Sequence, residues 1–309
     1  MRCFVTGASG FLGAWLVRQL LQRGHSVTVL MRGTPQSRRV ADWIDRVHIV
    51  KGSLEAAEGL REELVHDNVD VFFHLAWHGV TAEYRYDPAQ ISTNVVGTLR
   101  LWELAREIGC KHWIGVGSQA EYGPSTAVLH EEMAPRPVTA YGVAKLATAM
   151  LTAKMSEMAG IRHTWVRLVA AYGPGDDPRH LIPSVVRALS SGTRPALTTG
   201  EQQWDYLYVE DAANALARIA ETSAVGTFNL ASGESVEVRR LVEQLRDMVD
   251  PNLPLGFGEV SYATDQVMYL KADIGSLQAA TGWHPETSLQ EGLFRTVQWF
   301  KTEDPAGAY

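Results

Sequence analysis

Short apolar runs rich in Val, Ile and Phe punctuate the first half of the chain, at Cys3 to Thr6, Ser26 to Met31, Val47 to Val50, Asp70 to Leu75, His112 to Val116 and His163 to Val169. Continuous apolar runs of this length are the pattern of strands buried on both faces of a parallel sheet. Helical patterns lie between them: Leu12, Leu16 and Leu20 closed by Gly24, and Leu99 to Ile108 closed by Gly109. Strands alternating with helices demand right-handed crossovers, so the expected fold class is α/β with a doubly wound parallel sheet. After Tyr172 the rhythm changes. Gly173-Pro174-Gly175 and Asp177-Pro178 break the alternation, and shorter elements of a smaller C-terminal α/β lobe follow. Near the end, Ser288 and Glu291 have the spacing of a capping box, and Leu289, Leu293, Val297 and Phe300 form one apolar stripe that packs the tail onto the body.

A net charge of -7, with basic residues clustered only around Arg32, Arg38 and Arg39, argues against a nucleic-acid surface and for a small-molecule partner. Cys3 and Cys110 have neither metal spacing nor a disulfide framework, and read as buried hydrophobes in a reducing compartment. No basic and apolar leader precedes the first strand and no apolar run approaches the ~18 residues that span a bilayer. The expectation is a cytoplasmic protein without membrane contact.

Thr6-Gly7-Ala8-Ser9-Gly10-Phe11-Leu12-Gly13 falls at the first strand-to-helix junction. Glycines there let backbone N–H groups approach a pyrophosphate at a helix N-terminus. The sheet is therefore expected to be Rossmann-type, with Gly7, Ser9, Gly10, Phe11, Leu12 and Gly13 against a dinucleotide. The three-residue spacing of the glycines differs from G-x-G-x-x-G and matches a short-chain dehydrogenase pattern. A carboxylate at the end of the second strand would hold a free ribose 2'-hydroxyl, whereas an Arg accommodates a 2'-phosphate. Here the strand ends Leu30-Met31-Arg32-Gly33. Arg32 thus favours NADP(H), with NAD(H) possible.

Tyr141-Gly142-Val143-Ala144-Lys145 puts a phenol and an ammonium on one helix face. A free tyrosine loses its proton only near about pH 10, so a fixed positive charge beside it would favour the phenolate and allow acid-base work near neutrality.

The glycine loop, the Tyr-x-x-x-Lys helix, Phe73-His74-Leu75-Ala76, Asn94-Val95-Val96-Gly97-Thr98, Arg167 with Tyr172-Gly173-Pro174, and Tyr208-Val209-Glu210-Asp211 occur in this order. Together they resemble the extended short-chain dehydrogenase/reductase family, of the NAD-dependent epimerase/dehydratase type, over nearly the whole chain. The resemblance implies a dinucleotide-binding domain over 1–171, to which 204–222 returns, and a mainly substrate-binding lobe over 172–309. It implies a catalytic triad of Ser118, Tyr141 and Lys145, with Ser118 holding the substrate oxygen, Tyr141 moving the proton and Lys145 also binding the nicotinamide ribose. It places Leu75, Ala76, Trp77 and Leu168 on the cofactor, with Ser53 and Leu54 beside adenine; Ser53 departs from the family's usual Asp. It implies a homodimer through the helices at 94–108 and 139–159.

Sugar dehydratases of the family carry Asp-Glu after the triad Ser or Thr, where this chain has Gln119-Ala120, an amide and a methyl that cannot act as acid and base. Glu121 stands one position late, with bonding to backbone as its expected role. Of the remaining chemistries, an NADPH-dependent reductase of a 4-keto group on a nucleoside-diphosphate 6-deoxyhexose comes first and a nucleotide-sugar 4-epimerase second. Two departures concern the substrate. The family's Asn is Ala170, and its pyrophosphate-binding Arg is Trp204, which could stack on a base or sugar or lie at the lobe interface. Arg179, Arg187 or Lys271 could supply the missing cation; otherwise the substrate is a small non-nucleotide carbonyl compound. His78 and Gln119 are further candidate substrate contacts. His74 reads as a core histidine, and no metal is expected. From outside the enzymes, an NADP(H)-sensing binding protein is the alternative.

Overall fold

The structure is a computed structural model that describes residues 1–33, 38–55, 60, 64, 68–263 and 265–303. The last six positions of the second lobe lie outside the described residues. A seven-stranded, wholly parallel sheet forms the larger part. It comprises β1 (Arg2–Thr6), β2 (Ser26–Met31), β3 (His48–Lys51), β4 (Val71–His74), β5 (His112–Ser118), β6 (Arg162–Leu168) and β7 (Gly226–Leu230), in the order β7-β6-β5-β4-β1-β2-β3. The strand order reverses beside β1, where β1 is flanked by β2 and β4. Ligands bind at such switch points, beyond the carboxyl ends of the strands.

Side-chain alternation explains why the strands carry apolar residues on both faces. Cys3 and Val5 enter the core shared with α1 (Phe11–Gln22) and α5 (Val209–Thr222), whereas Phe4 enters the opposite core with Leu101 and Trp102 of α2 (Val96–Glu107). On that second face Phe4, Phe72 and Trp113 stack across three neighbouring strands at 4.8 Å between successive rings. The remaining large helix, α3 (Ala140–Ala159), packs beside α2 and begins with Thr139 accepting a hydrogen bond from the Gly142 amide. β7 adds a strand beyond β6, reached through α5, which packs on α1.

The second lobe has its own core, built from α4 (Leu181–Ser190), α6 (Val238–Val249) and α7 (Leu289–Glu303), with Val185, Leu241, Leu293 and Val297 fully buried in it. The tail stripe therefore packs as expected. Its capping box forms only by half: the Glu291 amide donates to Ser288 Oγ at 3.2 Å, but the Glu291 carboxylate turns one helical turn onward to Arg295. An exposed guanidinium offers a charge-assisted partner that a backbone amide does not.

Among the described residues no helix is long and apolar enough to cross a membrane, and no three His, Cys, Asp or Glu side chains gather as a metal site. Both cysteines are buried, and burial pushes each thiol up to about 12, which leaves them unreactive.

Candidate active site

A cleft of about 590 Å³ opens over the carboxyl ends of β1, β2 and β4. Its floor is the glycine turn. Gly7 has φ +74°, and a Cβ there would stand 2.7 Å from the Ala76 amide nitrogen; a Cβ at Gly13 would overlap the Gly7 carbonyl oxygen. Only hydrogen fits at both positions, so the loop lies flat against the β4 exit, and α1 starts at Gly10 with no side chain capping its first amides. A phosphate group suits this cradle because it would accept from those amides and meet the positive end of the helix.

Gly7, Ser9, Gly10, Phe11, Leu12, Gly13, Arg32, Ser53, Leu54, Leu75, Ala76, Trp77, Tyr141, Lys145 and Leu168 all line this one cleft, together with His78. Arg32 stands exposed at the mouth beside Met31, with the half-buried Arg39 nearby, while Arg38 faces a neighbouring pocket. Several lining residues escape sequence reasoning. Val116 follows from the carboxyl end of β5 once the topology is known, but Thr93 comes from the turn before α2, and Glu55, Asp176 and His180 come from irregular segments with no spacing to reveal them.

Ser118, Tyr141 and Lys145 converge at one end. Ser118 closes β5 and stands beside the Tyr141 hydroxyl, whose pKa it lowers. Gly142 permits this approach, because any side chain there would overlap the Ala120 carbonyl oxygen in the turn after Ser118. The turn is itself held: Ser118 Oγ accepts from the Ala120 amide at 3.1 Å, and the Ser118 amide donates to Glu121 Oε1 at 2.9 Å. Glu121 is fully buried. It also accepts from Trp165 Nε1 and from Arg167 Nε, both at 2.9 Å, and Arg167 lies over the Tyr122 ring.

The ionisation of the pair differs from the expectation of a lysine that acidifies the phenol. Burial pushes the Tyr141 hydroxyl up to about 12; Ser118 lowers it, Glu121 raises it and the charge of Arg85 lowers it. The Lys145 ammonium donates to the Val116 carbonyl at 2.7 Å and lies 5.9 Å from the centre of the Tyr141 ring, against 3.7 Å from that of Trp77. Burial pushes Lys145 down to about 7, opposed by Glu121. Desolvation wins because Lys145 is buried and Tyr141 half-buried, and the charged form of each is disfavoured there. Arg85, which spacing did not single out, is paired with Asp265 at 3.6 Å.

The remaining substrate candidates stay outside the cleft lining. Trp204 donates through Nε1 to the Val267 carbonyl at 2.7 Å and leans on Tyr206, so its indole edge is committed to the second lobe. Arg179 is exposed and shared between Asp177, at 2.7 Å, and Glu83, at 3.0 Å. Ala170 receives the Leu207 amide on its carbonyl, and Gln119 lies in the turn after Ser118. His74 is buried between Thr6 and Thr98 and pushed down to about 3, hence a neutral core histidine.

Comparison with known proteins agrees with this geometry. A UDP-glucose 4-epimerase of Mycolicibacterium smegmatis is 28% identical, aligned over 98% of this chain and 99% of its own. A UDP-glucuronic acid decarboxylase 1 of Xenopus tropicalis is 27% identical over 98% of this chain and 72% of its own. The solved structure of UDP-glucose 4-epimerase with UDP-glucose from Thermotoga maritima superposes with a TM-score of 0.88 at 26% identity, covering 97% of this chain and 99% of that one. The model of the NAD dependent epimerase/dehydratase family matches residues 3–231, which include all of the parallel sheet but Arg2, the glycine turn and the Ser118, Tyr141 and Lys145 cluster. The chain belongs to that family of extended short-chain oxidoreductase enzymes.

Proposed function

We propose that this protein transfers hydride at C4 of a nucleoside-diphosphate hexose, and that its net reaction is the NADPH-dependent reduction of a 4-keto-6-deoxy sugar. The observation that carries the reading is the convergence of Ser118 and Lys145 on Tyr141 at the end of a cleft floored by the glycine turn. The bound nicotinamide supplies the hydride. Gly7, Gly10 and Gly13 form the cradle for its diphosphate, and Arg32 with Arg39 at the mouth favours a 2'-phosphate. Ser118 holds the substrate oxygen. Tyr141, kept protonated by burial, donates its proton to that oxygen as hydride reaches the carbon, and Lys145 orients the ribose.

Elimination chemistry lacks support. Glu121, the carboxylate nearest to Ser118, is enclosed by Trp165, Arg167 and backbone, and Gln119 and Ala120 carry no acid or base. Epimerisation at C4 is the second reading, favoured by the similarity to UDP-glucose 4-epimerases over whole chain lengths. The same reading assigns dinucleotide binding to 1–171 with 204–222, and substrate binding mainly to the rest of 172–309. It pairs two copies through α2 and α3, where Val96, Val143, Met150 and Leu151 are exposed. The two buried thiols suit a reducing compartment such as the cytoplasm.

Oxidation of NADPH and NADH against a panel of 4-keto-6-deoxy sugar nucleotides tests cofactor, substrate and reaction together. Stoichiometric NADPH consumption is expected, abolished by Tyr141→Phe in a protein that still folds and binds nucleotide. Isomer interconversion without net consumption would replace the first reading by the second. Full activity of the Phe variant would overturn both.

A further inference from the structure

Trp77 is the least explained residue of the cleft. It leaves the β4 exit directly after Leu75 and Ala76, and its indole spreads over Lys145 with the ammonium 3.7 Å from the ring centre. The same ring meets Tyr141 edge-on at 6.2 Å. Its orientation is braced. Trp77 Nε1 donates to Gln90 Oε1 at 2.8 Å, and Gln90 is itself buried with every amide position used. The Gln90 Nε2 group donates to the carbonyls of Gly79 and Tyr84, and its oxygen also accepts from Asn94 Nδ2 at 2.9 Å. Gln90 and Asn94 belong to a wide π-helical turn, Gln90–Val95, that precedes α2. Such turns are uncommon and often mark functional positions. Here the turn directs two buried amides at the 76–79 loop.

The consequence concerns the lysine. A buried ammonium has lost its water, and it stays charged only if nearby groups replace that solvation. The groups facing Lys145 are few: the Val116 carbonyl from β5, Glu121 from the turn after β5, Tyr141 from its own helix, His74 from β4 and Trp77. His74 is neutral, and the Glu121 carboxylate is already bonded to Arg167. The electron-rich face of the indole is thus one of the principal contacts that favour the charged form, and among aromatic rings indole does this best.

We propose that Trp77 is a positioning residue, its π face holding the Lys145 ammonium charged and in register beside Tyr141, with Gln90 as the brace that fixes the ring. The inference rests on the proposed reaction only where it gives Lys145 a part in turnover; the contact itself can be tested without a substrate.

The test compares Trp77→Leu, which keeps an apolar side chain but has no π face, with Trp77→Phe, which keeps a weaker one. Competitive acetylation of Lys145 with acetic anhydride, followed by peptide mass spectrometry across pH, reports the neutral amine alone. The Leu variant should move the labelling midpoint down by about one pH unit, tenfold in the charged-to-neutral ratio, with the Phe variant between it and the parent. The alkaline limb of kcat for ketone reduction should move by the same interval. An unmoved midpoint in a Leu variant with native circular dichroism overturns the proposal, as does an equal shift in Phe and Leu. Should the Leu variant fail to fold, the Phe variant decides, since a midpoint equal to that of the parent then overturns the proposal. A shifted midpoint in a protein that reduces no sugar nucleotide supports the indole–ammonium contact and defeats the proposed reaction instead.

Discussion

Glu121→Gln separates the electrostatics of the site from its shape. Glu121 is fully buried, Arg167 is 6% exposed, and their charged atoms stand 2.9 Å apart. A glutamine occupies the same volume, and its oxygen can still accept from the Ser118 amide and from Trp165. The loss falls at Oε2, where an amide NH2 would face the guanidinium and leave its charge buried without a counterion. Breaking a buried pair from one side costs about 3–5 kcal/mol. With an unfolding entropy of about 2.1 cal/mol/K per residue, a chain of 309 residues has roughly 0.65 kcal/mol/K. The melting temperature should therefore fall by about 5–8 °C. Differential scanning calorimetry measures this directly. The double variant Glu121→Gln with Arg167→Met, which removes both charges and keeps the oxygen that accepts from Ser118 and Trp165, should recover much of the loss, because an apolar residue of similar length at 167 leaves no buried charge without a counterion. A shift of the single Gln variant under about 1 °C, or a double variant no more stable than either single one, would refute the reasoning. Since Glu121 also raises Lys145, the Gln variant should lose activity at a lower pH than the parent.

Arg32→Ala should weaken NADPH binding about tenfold or more while changing NADH binding little, as expected for one charge-assisted bond to a 2'-phosphate; equal losses for both nucleotides in titration calorimetry would remove the NADP(H) assignment. Gly13→Ala should weaken both nucleotides by at least about tenfold, because its methyl overlaps the Gly7 carbonyl and must displace the loop; unchanged affinity would show that the turn is not the cradle. Acid should destabilise the fold early. His74, His112 and His163 are pushed by burial down to about 3, about 4 and about 4, so the native state leaves them neutral where the unfolded chain takes up protons near pH 6.5. Stability is then lost as pH falls through that range, with a slope approaching about 4 kcal/mol per pH unit for three protons near pH 5. Denaturant melts at pH 7 and 5 with equal stability would contradict the burial of these rings.

The parallel sheet was legible because each buried strand announces itself within a few residues, and the glycine turn because its placement at the first strand end is a local fact. Tyr141 and Lys145 share a helix face for the same local reason. What escaped the sequence is set by contacts between distant segments. The seventh strand, Gly226–Leu230, carries only a short apolar run and is recognised by pairing with β6. Trp204 and Arg179 were candidates by position, yet each is committed elsewhere, one to the Val267 carbonyl and the other to two carboxylates. Residue type constrains what a side chain could bind, whereas its neighbours decide what remains free to bind.

Charge state is the clearest case. Four-residue spacing correctly puts an amine near a phenol, and the inference that the amine acidifies the phenol assumes that both keep their solvation. Burial removes that assumption for both groups at once, raising Tyr141 to about 12 and lowering Lys145 to about 7. A site built this way holds its phenol protonated at neutral pH, and the same burial makes that phenol a weaker acid than a free tyrosine. Turning Tyr141 into a base requires a further positive charge at the ring, and the pyridinium of an oxidised nicotinamide carries one. Each direction of hydride transfer would therefore need its own charge state of the same two side chains.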